Sequence, residues 1–138
     1  MKLLITVCVS LALGACAHPC EDQNADIPGI LRDAGLIMEN PKACDFGSPR
    51  ESQGLENLGF AKLYHGSGEY WRSAEKYIRH LQGSGWQRVA CTGGLGETVS
   101  SDIEVTECFM KRDQIARIHA YDFNGAIVDV DLLELVNR

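Results

Sequence analysis

Three histidines, His65, His80 and His119, and three aspartates, Asp122, Asp129 and Asp131, are the side chains of this 138-residue chain best suited to chemistry. Imidazoles serve as general bases and metal ligands, and closely spaced carboxylates hold calcium. Their spacing points elsewhere. His80 follows Arg79 near the end of a helical pattern, where a positive group suits the helix dipole. His119 lies on a strand with a carboxylate expected across from it. Asp129 and Asp131 alternate along another strand, as on a solvated sheet face carrying ion pairs. Thr92-Gly93-Gly94-Leu95-Gly96 is rich in glycine but lacks the lysine and the strand-to-helix setting of a phosphate loop. It reads as a hairpin loop that offers Leu95 to a partner. Neither G-x-S-x-G nor H-E-x-x-H occurs. The expectation is a chain with no catalytic residue, no metal and no cofactor.

The cysteines raise the question of compartment. Lys2 is followed by an apolar run of about 13 residues that ends in Leu13-Gly14-Ala15-Cys16. Spanning a bilayer takes ~20 apolar residues, so the run is too short to be a membrane helix. A basic start, an apolar middle and small residues before a cleavage point are the layout of a secretory signal. Leu13-Gly14-Ala15-Cys16 resembles the lipobox of bacterial lipoproteins. The resemblance implies that Cys16 is acylated and becomes the new N-terminus. Residues 1–15 would then be a signal peptide, 16–26 a tether and 27–138 a single periplasmic domain. Ala17, where an aspartate would retain the protein at the inner membrane, implies the outer membrane. The competing reading is ordinary cleavage at Ala15-Cys16-Ala17, releasing a soluble chain.

Cys20, Cys44, Cys91 and Cys108 remain in the mature chain, an even number after an export signal, which reads as two disulfides. Three connectivities are open, and proximity in sequence favours Cys20–Cys44 with Cys91–Cys108. Each bridge would contribute roughly 3 kcal/mol by constraining the unfolded chain. No C-x-x-C pair is present, which argues against zinc. A net charge of −6 makes the chain a poor partner for nucleic acid. It supplies no polybasic patch for anionic lipid, so the lipid chains would be the membrane attachment.

The elements that must position these groups follow from periodicity. A short helix is expected from Pro28, with Ile30, Leu31, Ala34 and Ile37 at helical spacing. Residues 41–56 have loop composition. A strand over 58–64 leads to Ser67 as N-cap and to a helix marked by Tyr70, Ala74, Tyr77, Ile78 and Leu81, with Gly83 as its stop. Trp71 falls beside that stripe and is expected to be half exposed. Strands follow over 86–91, 103–110, 114–121 and 126–133. The last two can be put in register. A three-residue loop, Phe123-Asn124-Gly125, sets Ile118 opposite Val130 and Ala116 opposite Leu132, with Arg117 meeting Asp131 and His119 meeting Asp129.

Tyr64, Gly66-Ser67, Tyr70-Trp71, Tyr77, Leu81 and Gly85-Trp86 form a second resemblance, to small exported bacterial α+β proteins of unassigned role. The fold expected is α+β, two-layered, with one main amphipathic helix on an antiparallel sheet of four to five strands. The leading functional expectation is an outer-membrane-anchored periplasmic lipoprotein that binds an envelope protein through the sheet's open face or the 92–101 loop, and is not an enzyme. The alternative is an inhibitor or immunity-type protein against a secreted hydrolase such as lysozyme, to which an acidic protein would be steered. An envelope enzyme or metal carrier is the third.

Overall fold

Three long strand-forming stretches of the C-terminal half, in which Arg117 and His119 alternate with Ala116, Ile118 and Ala120 and Asp129 and Asp131 with Val128, Val130 and Leu132, become the centre of the sheet. The computed structural model describes residue 20, residues 25–39 and residues 41–136. In chain order the elements are α1 (Gly29–Asp33), β1 (Lys42–Cys44), β2 (Leu55–Tyr64), α2 (Tyr70–Gly83), β3 (Gln87–Val89), a 3-10 turn (Gly93–Leu95), β4 (Val99–Ser100), β5 (Glu104–Lys111), β6 (Gln114–Asp122) and β7 (Ala126–Leu135). All pairings are antiparallel, in the order β1-β2-β7-β6-β5-β3, with β4 also on β5.

This corrects the expected fold class. The chain is predominantly β, a seven-stranded antiparallel sheet with one main helix, not an α+β arrangement of four to five strands. The two extra strands are β1, with three residues, and β4, with two. Neither is long enough to show alternation, and both exist because a long strand offers free edge groups.

The β6–β7 register is the expected one: Ala116 pairs with Leu132, Arg117 with Asp131, Ile118 with Val130 and His119 with Asp129. The connecting loop is Phe123-Asn124-Gly125. Both Asn124 (φ 54°) and Gly125 (φ 130°) take positive φ. A Cβ on Gly125 would lie 2.7 Å from the Gly66 carbonyl oxygen, so glycine is needed for space as well as for φ.

Helix α2 crosses one face of the sheet, joining β2 to β3 on the far edge. Its stripe of Tyr70, Ala74, Tyr77 and Leu81 is buried against Val105, Phe109, Ala116, Ile118, Ala120, Val128 and Val130. Alanines in that sheet row leave room for the two tyrosine rings. The helix begins at Tyr70 with Glu69, not Ser67, at the cap position, and no side chain caps it. It runs through Gly83 and ends where the Trp86 N–H donates to the Leu81 carbonyl at 3.0 Å, with Gly85 at φ 92°. Helix α1 packs over the bulge in β2 between Asn57 and Gly59. A side chain on Gly59 would meet Ile30 at 2.9 Å and Leu31 at 3.2 Å.

The opposite face was expected to be solvated, and it is covered. Asp131 is 1% exposed. It accepts hydrogen bonds from the Arg50 backbone N–H (3.2 Å) and Asn57 Nδ2 (3.1 Å), and its Oδ2 lies 3.5 Å from the Arg117 guanidinium. Arg50 Nε and Ser52 Oγ each donate at 2.8 Å to the Gly94 carbonyl, and Arg117 Nε donates to the Leu95 carbonyl at 3.2 Å. Lys62 Nζ lies 2.8 Å from Asp129 and also donates to the Tyr121 hydroxyl. Segments from the 45–54 and 92–98 stretches thus lie across the strands, bound through the sheet's own charges. Burial outweighs these bonds and leaves the Asp131 carboxyl above its usual range; burial also lowers Arg117. Asp131→Ala leaves the largely buried Arg117 charge without its carboxylate, and the Arg50 N–H and Asn57 Nδ2 without their acceptor. It is expected to cost about 3–5 kcal/mol, read as a fall in the urea midpoint with unchanged slope.

Candidate functional site

Two clefts meet at Trp71 and together make a groove along the first three turns of α2. The first, of about 620 Å³, is lined by Ser67, Gly68, Glu69, Tyr70, Trp71, Ser101, Asp102 and Asp122. The second, of about 350 Å³, continues past Ala74, Glu75 and Ile78 to Arg88, Val105 and Glu107. The helical spacing that buries Tyr70 and Ala74 leaves Trp71 at the margin of the stripe, 39% exposed.

Local bonds hold each wall. Trp71 Nε1 donates to Glu69 Oε2 at 2.6 Å, and the Arg72 guanidinium lies 4.8 Å from the indole ring. Tyr70 is buried, and its hydroxyl donates to the Ser101 carbonyl at 2.9 Å, tying the helix start to the β4–β5 connection. In that connection Ser101 Oγ accepts from the Ile103 and Glu104 backbone N–H groups, a serine turn that leaves Ile103 70% exposed. Asp122 closes the far wall, and its Oδ1 accepts from the Gly125 N–H at 3.0 Å.

In the second cleft Glu107 stands in the apolar row of Val105 and Phe109, beneath the helix, and is buried. Its charge is answered from β3. Arg88 Nε donates to Glu107 Oε1 at 2.9 Å, and this bond raises the guanidinium above its ordinary range. In the sequence Glu107 interrupts the apolar row Ile103, Val105 and Phe109. The signal that it needs a partner is the row itself, because a carboxylate among core residues must be paired. Arg88 on the neighbouring strand was not singled out.

The residues singled out for chemistry are scattered by the fold. His65 Nε2 lies 2.9 Å from the Tyr77 hydroxyl, and His80 Nε2 lies 2.8 Å from the Gly35 carbonyl, which joins α2 to the turn after α1. His119 sits between two carboxylates, with Nε2 2.8 Å from Glu104 and Nδ1 3.6 Å from Asp129. Asp129 and Asp131 belong to the covered polar layer, and Asp122 alone of the three aspartates reaches the groove. Among the described residues no group of three or more His, Cys, Asp or Glu is placed to hold a metal ion. In the loop offered for binding, Leu95 itself is buried against Cys91, Cys108, Ile115 and Leu133, while its neighbours Thr92, Gly93, Gly94, Glu97 and Thr98 are exposed. The disulfides are Cys20–Cys44 and Cys91–Cys108, the favoured pairing. Cys16 lies outside the described residues.

Glu69, Asp102 and Asp122 line the cleft beside Trp71. Within the chain the Arg72 guanidinium already shows the chemistry such a wall favours, lying over the indole ring and 3.5 Å from Glu69 Oε1. Lys62, on the covered face, is committed internally: burial pulls its ammonium down, and the bonds to Asp129 and Tyr121 outweigh that and hold it above its ordinary range. No protein family, curated protein or solved structure matches this chain. No described helix is long and apolar enough to cross a membrane.

Burial holds the His65 imidazole below its ordinary value of 6.5, against the opposing charge of Glu39. The unfolded chain therefore binds a proton on this group at higher pH than the folded chain does. Its stabilising effect is complete above pH 6.5 and is lost as pH falls through the lowered folded value. Unfolding midpoints measured from pH 7.5 to 5 should decline, and His65→Asn should flatten that decline.

Proposed function

We propose that this chain is a lipid-anchored, non-catalytic binding protein of the bacterial envelope. In this reading it is held at the outer membrane through Cys16, faces the periplasm, and takes a basic segment of another envelope protein in the Trp71 groove. The observation that carries the binding role is the groove: a half-exposed tryptophan, oriented by Glu69, between carboxylates of three different segments. Aromatic residues of this kind are over-represented among those that dominate binding energy. Two disulfides in a chain of this size support an oxidising compartment. The sequence Leu13-Gly14-Ala15-Cys16 supports the anchor.

The covered face changes where binding is sought. The sheet's second face is covered, and the 92–101 stretch buries Leu95 against it while Thr92, Gly93, Gly94, Glu97, Thr98 and Ser100 remain exposed on its outer side. An inhibitor of a basic hydrolase such as lysozyme would use the same acidic groove, so that reading differs in the partner and not in the surface.

A photocrosslinking residue at position 72, in cells grown with labelled palmitate, tests both parts. The protein should carry the label, and the label should vanish in Cys16→Ser. The crosslinked peptide should be rich in lysine and arginine. Trp71→Ala combined with Glu69→Gln should lower its recovery about tenfold, the loss of one aromatic anchor and its ion pair. An acidic or neutral crosslinked peptide, or recovery indifferent to Trp71, would remove the binding reading. Protection in a lysozyme lysis assay would identify the partner as the hydrolase.

A further inference from the structure

The Cys20–Cys44 bridge decides how far the folded unit stands from whatever holds residue 16. Cys20 is fully buried, in a cluster with Cys44 and Ile127 against which Tyr64, Tyr121 and Phe123 pack. Three residues separate it from Cys16, four Cα-to-Cα steps with a reach of at most ~14 Å. The nominal tether of 16–26 is therefore cut short, because its fifth residue is already fastened to β1. Without the bridge, the next described residue packed on the core is Ala25, and nine such steps extend to ~32 Å.

Around that fastening lies an aromatic rim. Phe46, two residues beyond Cys44, is 38% exposed, with its ring 5.8 Å from Lys62 Nζ. Phe123 is partly buried at the β6–β7 turn, beside the exposed Asn124. Aromatic rings favour the headgroup zone of a bilayer, where an apolar body meets a wet edge. One exposed phenylalanine, Phe46, and one partly buried one, Phe123, are a weak membrane ligand alone. A leash this short changes that, because it holds them at millimolar-scale effective concentration next to the surface. The acidic Asp45 and Asp122 stand next in sequence to these rings, which limits the contact to the surface of the headgroups.

We propose that the rim of Phe46 and Phe123 around the Cys20–Cys44 bridge is the surface by which the domain rests on the lipid bilayer. This rests on the reading of Cys16 as the anchor.

The test uses the full acylated protein purified from the envelope and placed in phosphatidylcholine vesicles, with and without bromine on the acyl chains near the headgroup. Phe46→Trp and Phe123→Trp are each made with Trp71→Phe, leaving buried Trp86 as the only other indole. Bromolipid should quench the new tryptophan severalfold more than the Trp86 background, and Cys16→Ser should abolish the effect. Adding Cys20→Ser with Cys44→Ser should weaken quenching by lengthening the leash. Labelled protein quenched no more than background at both positions overturns the membrane-resting surface and leaves the anchor standing. Absence of palmitate on the parent chain overturns the anchor, and this surface with it.

Discussion

Register between β6 and β7 is the constraint on which the rest of the molecule depends. A slip of one residue would turn Ala116, Ile118 and Ala120 away from α2 and put Arg117 and His119 beneath it. The three-residue turn prevents this by steric necessity. Gly125 sits against the Gly66 backbone, and the Ala126 N–H donates to the Gly66 carbonyl at 2.9 Å. The same contact joins the turn to the β2–α2 connection. One small loop therefore sets the pairing of the central strands and the starting point of the helix.

With that register in place, the two faces of the sheet obey different rules. The face under α2 is apolar and packs by shape, with one exception, Glu107, which is paid for by Arg88 at the edge. The other face is polar and covered, so its charges must find partners within the protein. Asp131 meets this demand by gathering Arg50, Asn57 and Arg117 around it. The coverage is thus specified by directed bonds, with a smaller apolar contribution from Leu95 beside the Cys91–Cys108 bridge. Burying charge in this way favours a unique arrangement of the two loop stretches over raw stability.

The groove arises where these constraints run out. Tyr70 must bury its ring and satisfy its hydroxyl, and it does both by reaching Ser101. Trp71, one residue on, is turned about 100° around the helix axis and cannot be buried with it. The acidic groups near it come from the start of the helix, the β4–β5 connection and the end of β6. Their proximity is a by-product of three chain reversals at one end of the sheet. The Cys20–Cys44 bridge is fixed at that end on the opposite face, near Tyr121 and Phe123.

Much of this was legible along the chain. The stripe Tyr70, Ala74, Tyr77 and Leu81 and the pairing of Ala116 with Leu132 could be read because each rests on spacing within one segment or on a short loop, whereas the disulfide partners were one of three open connectivities, favoured by proximity in sequence. Strands β1 and β4 could not be read, since two or three residues carry no period and owe their existence to the edges of β2 and β5. Alternation along β7 correctly put Asp129 and Asp131 on one face. It could not say that Arg50 and Gly94, distant in sequence, would close over them. Sequence alone determined which residues share a face, because that is a local property of backbone geometry. Only the tertiary structure decided what each face meets, because a covering segment is chosen by long-range bonds that leave no periodic trace.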